Sequence, residues 1–219
     1  MKAVIFTGGT IEREAVTDFF RKESPDLVVA ADRGLEFCYH SGIHPDYIVG
    51  DFDSIRPEIL AYFRGRKEIP IDTYRPEKDM TDTDIAMEKA VQLGADSVVF
   101  FGATGTRLDH TLSNIFNLII LKERGIRAWI LDAHNRIYLP PGHELILRRE
   151  DMYGKYLSLF PVRKEVRGLT IEGFCYPLEG RTLQQGDGGL CVSNQLSPQA
   201  DEGRIRWESG DLLVMETRD

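Results

Sequence analysis

Short apolar runs alternate with amphipathic stretches through the first 131 residues. Residues 3–6, 27–31, 47–49, 98–101 and 126–131 read as buried strands. Between them, 11–22, 34–41, a segment opening at Pro57, 82–93 and 109–124 carry apolar residues at helical spacing. Ile85, Ala86, Ala90, Val91 and Leu93 form one such stripe, and Gly94 follows it. Gly42 and Gly125 also suit helix ends. Continuous apolar strands separated by helices predict a mostly parallel, Rossmann-like α/β sheet. Polar and glycine clusters follow the strands at 7–10, 32–34, 50–54 and 102–107. Those are the carboxyl ends, where parallel sheets bind ligands.

The pattern changes near residue 136. Short strand candidates follow at 137–139, 144–147, 156–160, 170–171, 190–192, 204–207 and 212–215, with no long helical pattern between them. Ser209-Gly210-Asp211 reads as a hairpin turn. The expected organisation is an α/β domain over 1–135, then an all-β sandwich over 136–219. Trp129 sits in a strand pattern and is expected in the core.

Composition narrows the classes. There are 27 basic and 35 acidic residues, a formal net charge of −8. No basic domain or tail exists to neutralise a nucleic-acid backbone. The three cysteines, Cys38, Cys175 and Cys191, have no zinc spacing and are expected as reduced thiols. No apolar run approaches a membrane span or a signal-peptide core. A cytoplasmic protein is expected, without membrane or nucleic-acid partners.

Three clusters carry chemistry. In Gly50-Asp51-Phe52-Asp53-Ser54 an extended backbone would turn both carboxylates to one side, where they repel unless a cation such as Mg²⁺ lies between them. The plain alternative is a polar turn. Lys78-Asp79-Met80-Thr81-Asp82-Thr83-Asp84 opens a helix, and Thr81 or Asp82 suits its cap. Asp79 and Asp82, three apart, can face one ligand, and Lys78 and Arg75 are candidate phosphate contacts. In the stretch from Gly102 through Thr104, Gly105 and Arg107 to Asp109 and His110, a turn between strand and helix offers backbone N–H groups to an anion. Arg107 suits a phosphate, and Asp109 an amino-bearing substrate or a helix cap. These residues indicate a metal-dependent enzyme acting on phosphates, and leave transfer and hydrolysis both open. A non-catalytic module that binds a nucleotide or another phosphate ligand is a third alternative.

Taken in order, A-D-R-G at 31–34, G-D-F-D-S at 50–54, K-D-x-T-D at 78–82 and G-x-x-G-x-R-x-D-H at 102–110, with Ser193-Asn194 later, resemble the thiamine pyrophosphokinase family. The resemblance implies transfer of pyrophosphate from ATP to the hydroxyl of thiamine, giving thiamine diphosphate and AMP, with Mg²⁺ and a homodimer. By position it implies that Asp51, Asp53, Asp79 and Asp82 form the acidic centre, with metal on Asp51, Asp53 and Asp82. It places Asp32, Arg33, Lys78, Gly102, Thr104, Gly105 and Arg107 at the nucleotide and phosphates. Asp109, Ser193 and Asn194 would contact thiamine, the last two from the partner subunit's β domain, which would also serve dimerisation. The sequence departs from many relatives at Thr106, where they have glycine, and at Leu212-Leu213-Val214, where some place a tryptophan.

Overall fold

The computed structural model describes residues 1–75, 79–187 and 189–219. The chain divides into two compact units, Met1–Ala133 and His134–Asp219.

The first unit is built from β1 (Lys2–Phe6), α1 (Arg13–Lys22), β2 (Leu27–Ala31), α2 (Gly34–Ser41), β3 (Tyr47–Gly50), α3 (Pro57–Arg64), β4 (Ile71–Thr73), α4 (Asp82–Gln92), β5 (Ser97–Phe101), α5 (Leu108–Glu123) and β6 (Arg127–Leu131). Its strands lie in the order β4-β3-β2-β1-β5-β6, and each neighbouring pair is parallel. β2 and β5 are buried at every position, which explains their unbroken apolar sequences. The Phe6 ring packs on Phe37 and Phe101 with centroids 5.3 and 5.7 Å apart. α4 packs on β1, β2 and β3, and α5 on β6. The order reverses between β1 and β5, which places the topological switch point there.

The second unit contains β7 (Asn135–Tyr138), β8 (Glu144–Arg148), β9 (Tyr156–Pro161), β10 (Glu165–Glu172), β11 (Leu178–Gln184), β12 (Glu202–Arg206) and β13 (Leu212–Thr217). They form two antiparallel arrays, β7-β13-β9 and β11-β10-β12-β8. The α/β-then-β fold class expected from the pattern is the one observed.

Several local expectations differ. Ser209-Gly210-Asp211 does not close a hairpin, because β12 and β13 belong to different arrays. It is instead a crossing between sheets, with Gly210 at φ +94°. Residues 190–192 form a bend rather than a strand, and of the three only Cys191 is buried. β4 and β11 escaped the pattern because they are edge strands with few buried positions. Trp129 is half-buried, with the Arg127 guanidinium 6.0 Å from its ring centroid. The three cysteines are free, and burial pushes the Cys38 and Cys191 thiols up. Among the described residues, no helix is long and apolar enough to cross a membrane.

The second unit also buries a charge. Glu216 is fully buried and accepts hydrogen bonds from Arg136 (2.9 and 2.6 Å), the Tyr138 hydroxyl (3.0 Å) and the Tyr153 N–H (2.9 Å). Glu216→Leu strands those donors and is expected to cost about 3–5 kcal/mol. Chemical denaturation checks this, and a loss under 1 kcal/mol (roughly the worth of an exposed pair) would refute it.

Candidate active site

The site is assembled where the parallel strands end. At the switch point the segments after β1 and β5 are stitched together by main-chain bonds. Thr7 N–H donates to the Phe101 carbonyl (2.8 Å), Gly9 N–H to Gly102 (2.8 Å) and Thr10 N–H to Thr104 (2.9 Å). The Thr7 hydroxyl donates to the Gly102 carbonyl at 2.5 Å. Such close approach excludes side chains. A Cβ on Gly9 would lie 2.2 Å from the Gly102 oxygen, and one on Gly102 2.6 Å from the Thr7 oxygen. Gly102 also sits at φ +76°, which L side chains rarely adopt. The result is a cavity of about 630 Å³, lined by both glycine segments, by Asp32, Arg33, Asp51 and Asp82, and by Arg107 and His110.

Three carboxylates converge beside it. Asp32, Asp51 and Asp53 each offer an oxygen, all within 4.8 Å of one another. An extended D-x-D backbone does not produce this. Phe52 is buried in the left-handed region at φ +62°, and the Asp53 N–H donates to the Asp51 carboxylate at 3.2 Å. A kink pinned by the Phe52 ring thus replaces the expected strand alternation. Asp32 is also left-handed, at φ +44°. Non-glycine residues in this region carry a cost, tolerated where surrounding structure enforces it and often at functional sites.

Asp32 is perturbed by its surroundings. Its Oδ2 accepts from the Ser54 hydroxyl at 2.8 Å, while Oδ1 is buried without a hydrogen-bond partner among the described residues. Burial pushes its carboxyl above the ordinary range, and the neighbouring charges of Asp82 and Asp51 push it further. The Ser54 and Arg33 hydrogen bonds only partly offset this. The family resemblance implies a nucleotide contact for Asp32; in the structure its carboxylate lies with those of Asp51 and Asp53. Asp82 lines the same cavity from the first turn of α4.

The remaining expected residues distribute as follows. Thr104, Gly105 and Arg107 line the cavity. Arg107 donates twice to Asp109, at 3.2 and 2.6 Å, which pulls that carboxyl down to about 2. Asp109 does not cap α5; its carboxylate is held by Arg107 and the His110 N–H. Thr81 does cap α4, in a reciprocal box with Asp84. Asp79 is exposed and outside the cavity lining, and Lys78 lies outside the described residues. Thr106 is accommodated without a left-handed backbone.

In the second unit, Asn194 is buried. Its amide accepts from the Tyr176 and Gln195 N–H groups and donates to the Tyr176 carbonyl. Ser193 is exposed and left-handed at φ +57°. Sequence reasoning missed three contributors. Thr104 donates to the buried Asp132 at 2.7 Å. The buried Asn114 and Asn117 reach toward the site from α5. Their only local signal is an amide on the apolar side of a helix.

A glycine-lined cavity beside a carboxylate cluster, at the switch point of a parallel sheet, is the arrangement of phosphate-handling α/β proteins. Comparison with known proteins narrows it. Residues 21–130 match the family model described as thiamin pyrophosphokinase, catalytic domain, and residues 142–211 match its vitamin B1 binding domain. The chain is 33% identical over 195 residues to thiamine pyrophosphokinase of Bacillus subtilis (strain 168), covering 88% of each. The crystal structure of thiamine pyrophosphokinase from Bacillus subtilis superposes with a TM-score of 0.87 at 28% identity over the whole of both chains. That of Geobacillus thermodenitrificans gives 0.82 at 30%, covering all of this chain and 98% of the other. The chain belongs to the thiamin pyrophosphokinase family.

Proposed function

We propose that the protein transfers the pyrophosphoryl group of ATP to the hydroxyl of thiamine, yielding thiamine diphosphate and AMP. The observation that carries this is the Asp32–Asp51–Asp53 cluster opening beside the stitched glycine turn. All its donors are carboxylate oxygens, and the orphaned, buried Oδ1 of Asp32 together with mutual repulsion favours a hard divalent cation. Mg²⁺ would be held by Asp51 and Asp53 with Asp32, and with Asp82 facing the same cavity. When bound, it supplies charge neutralisation for the phosphate oxygens.

The chain's own groups do the rest. Backbone N–H groups of the turn at 102–105 cradle phosphates, and Arg107, which lines the same cavity, adds a cationic contact. Arg33 meets the nucleotide end, and Asp109 the amino group of thiamine. The thiamine oxygen forms a bond to the β-phosphorus of ATP as the bond from that phosphorus to the oxygen bridging to the α-phosphorus breaks. AMP leaves with the bridging oxygen, and the hydroxyl proton passes to a carboxylate or to water. Positioning supplies most of the acceleration, since such transfer asks little covalent work of the protein. The proposal includes a cytoplasmic homodimer, with Ser193 and Asn194 at the thiamine end of a site shared between copies.

Product analysis with ATP, thiamine and Mg²⁺ tests the function. AMP and thiamine diphosphate are expected in equal amounts, and only when all three are present. ADP or phosphate released without thiamine would instead mark a hydrolase. Saturable binding with no turnover would mark a binding module. EDTA is expected to abolish the reaction and excess Mg²⁺ to restore it.

A further inference from the structure

We propose that α5 is a double brace for the site, in which Asn117 positions the acid-bearing start of α4 and Asn114 positions the glycine turn. The inference rests on the transferase reading for its kinetic readout but has a binding readout of its own. Asn114 and Asn117 are 6% and 4% exposed, three residues apart on one face of α5. Asparagine is a poor helix former, and burying its amide is unfavourable unless the amide is bonded. Packing a helix on a sheet needs neither residue; Leu118 and Leu121 already do that.

Both amides bond groups that belong to the site. Asn114 Nδ2 donates to the Ala103 carbonyl at 2.8 Å, inside the glycine turn. Asn117 Nδ2 donates to Asp84 Oδ1 at 2.7 Å. The other oxygen of Asp84 accepts from the Thr81 N–H at 2.9 Å, and the Thr81 hydroxyl accepts from the Asp84 N–H at 3.1 Å. Asp84 is therefore two-handed. One hand closes the helix cap. The other ties the cap to α5. Asp82 and Thr83, which line the cavity, sit between the two capping residues and are fixed with them. One helix thereby sets the placement of the anion cradle and of Asp82 by separate bonds. Both asparagines are positioning residues.

The two arms predict separable defects. Asn117→Ala leaves room for a water to satisfy Asp84, so the protein stays folded while the direct tie is lost. It is expected to weaken Mn²⁺ binding, read by electron paramagnetic resonance, about tenfold and to lower kcat similarly. The KM for ATP should stay within about twofold. Asn114→Ala is expected to raise the KM for ATP about tenfold and leave Mn²⁺ affinity within about twofold. Asp84→Asn can pair amide to amide with Asn117 while keeping the cap, and should retain Mn²⁺ affinity within about threefold. Circular dichroism and Tm verify folding, and Asn117→Ser replaces Asn117→Ala if the latter does not fold. Unchanged Mn²⁺ affinity and kcat in the folded Asn117 variant, identical defects from both asparagines, or an Asp84→Asn protein as impaired as Asn117→Ala would each overturn the brace. A wild-type protein that binds Mn²⁺ but leaves thiamine unchanged would overturn the proposed reaction and not the brace. One that binds no Mn²⁺ would overturn both.

Discussion

Asp32→Asn is expected to lower turnover about 10²–10³-fold, the scale of losing one preorganised electrostatic group, while raising the Tm of the metal-free protein at neutral pH. The two effects have one cause. Asp32 is pressed into a partly buried position with Asp51 and Asp82 nearby, and its carboxyl is raised by burial first and by those charges second. A carboxyl raised on folding is stabilising only below its unfolded pKa of about 3.9, and that contribution is lost as pH rises through the folded value. At pH 7 the ionised Asp32 therefore burdens the apoprotein, and asparagine relieves the burden while still accepting from Ser54. The gain should shrink toward acid pH, where both side chains are neutral. Activity is expected to run the opposite way, because the proposed cation site requires the ionised form. Thermal melts in EDTA at pH 4 and pH 7, with steady-state rates, check both signs. An Asp32→Asn protein that melts lower at pH 7 and turns over normally would remove Asp32 from the centre.

Gly9→Ala is the second large effect. The added Cβ would meet the Gly102 and Thr104 oxygens at 2.2 and 2.3 Å, both main-chain atoms in the stitched turns. Neither can swing aside as a side chain would, so the two segments must part. Overpacking of this kind costs about 1–3 kcal/mol. Because the clash falls on the turn proposed to hold the phosphates, kcat/KM for ATP should fall about 10²-fold, the scale expected of an ångström's misplacement. Gly142→Ala is the control, since nothing lies within 4 Å of its would-be Cβ. Equal behaviour of the two variants would show that the switch-point contact is not what shapes the site.

The legible parts of this protein are those set by local patterning. β2 declared itself as an unbroken apolar run because both faces of a central parallel strand are covered. The glycine and acid clusters marked the carboxyl ends of strands, and so marked the cavity. What stayed hidden depends on tertiary contact. The kink at Phe52 exists because its ring is buried, and a D-x-D motif carries no sign of it. Asp32 enters the carboxylate cluster because β2 and β3 are paired in a particular register, with the Asp32 N–H donating to the Val49 carbonyl at 3.0 Å. The role of Asn117 depends on a partner 33 positions earlier. β4 and β11 were missed for a simpler reason: edge strands need not alternate when little of them is buried.

The most direct test of the account is ³¹P NMR of the protein with Mg²⁺, thiamine and ATP carrying ¹⁸O in the non-bridging oxygens of its β-phosphoryl group, whose isotope shift marks that phosphorus. The expected result is one AMP and one thiamine diphosphate for each ATP consumed, with the mark in the phosphorus bonded to the thiamine oxygen. Accumulation of ADP, release of phosphate or pyrophosphate, or a mark appearing only in the terminal phosphate would contradict transfer of an intact pyrophosphoryl group.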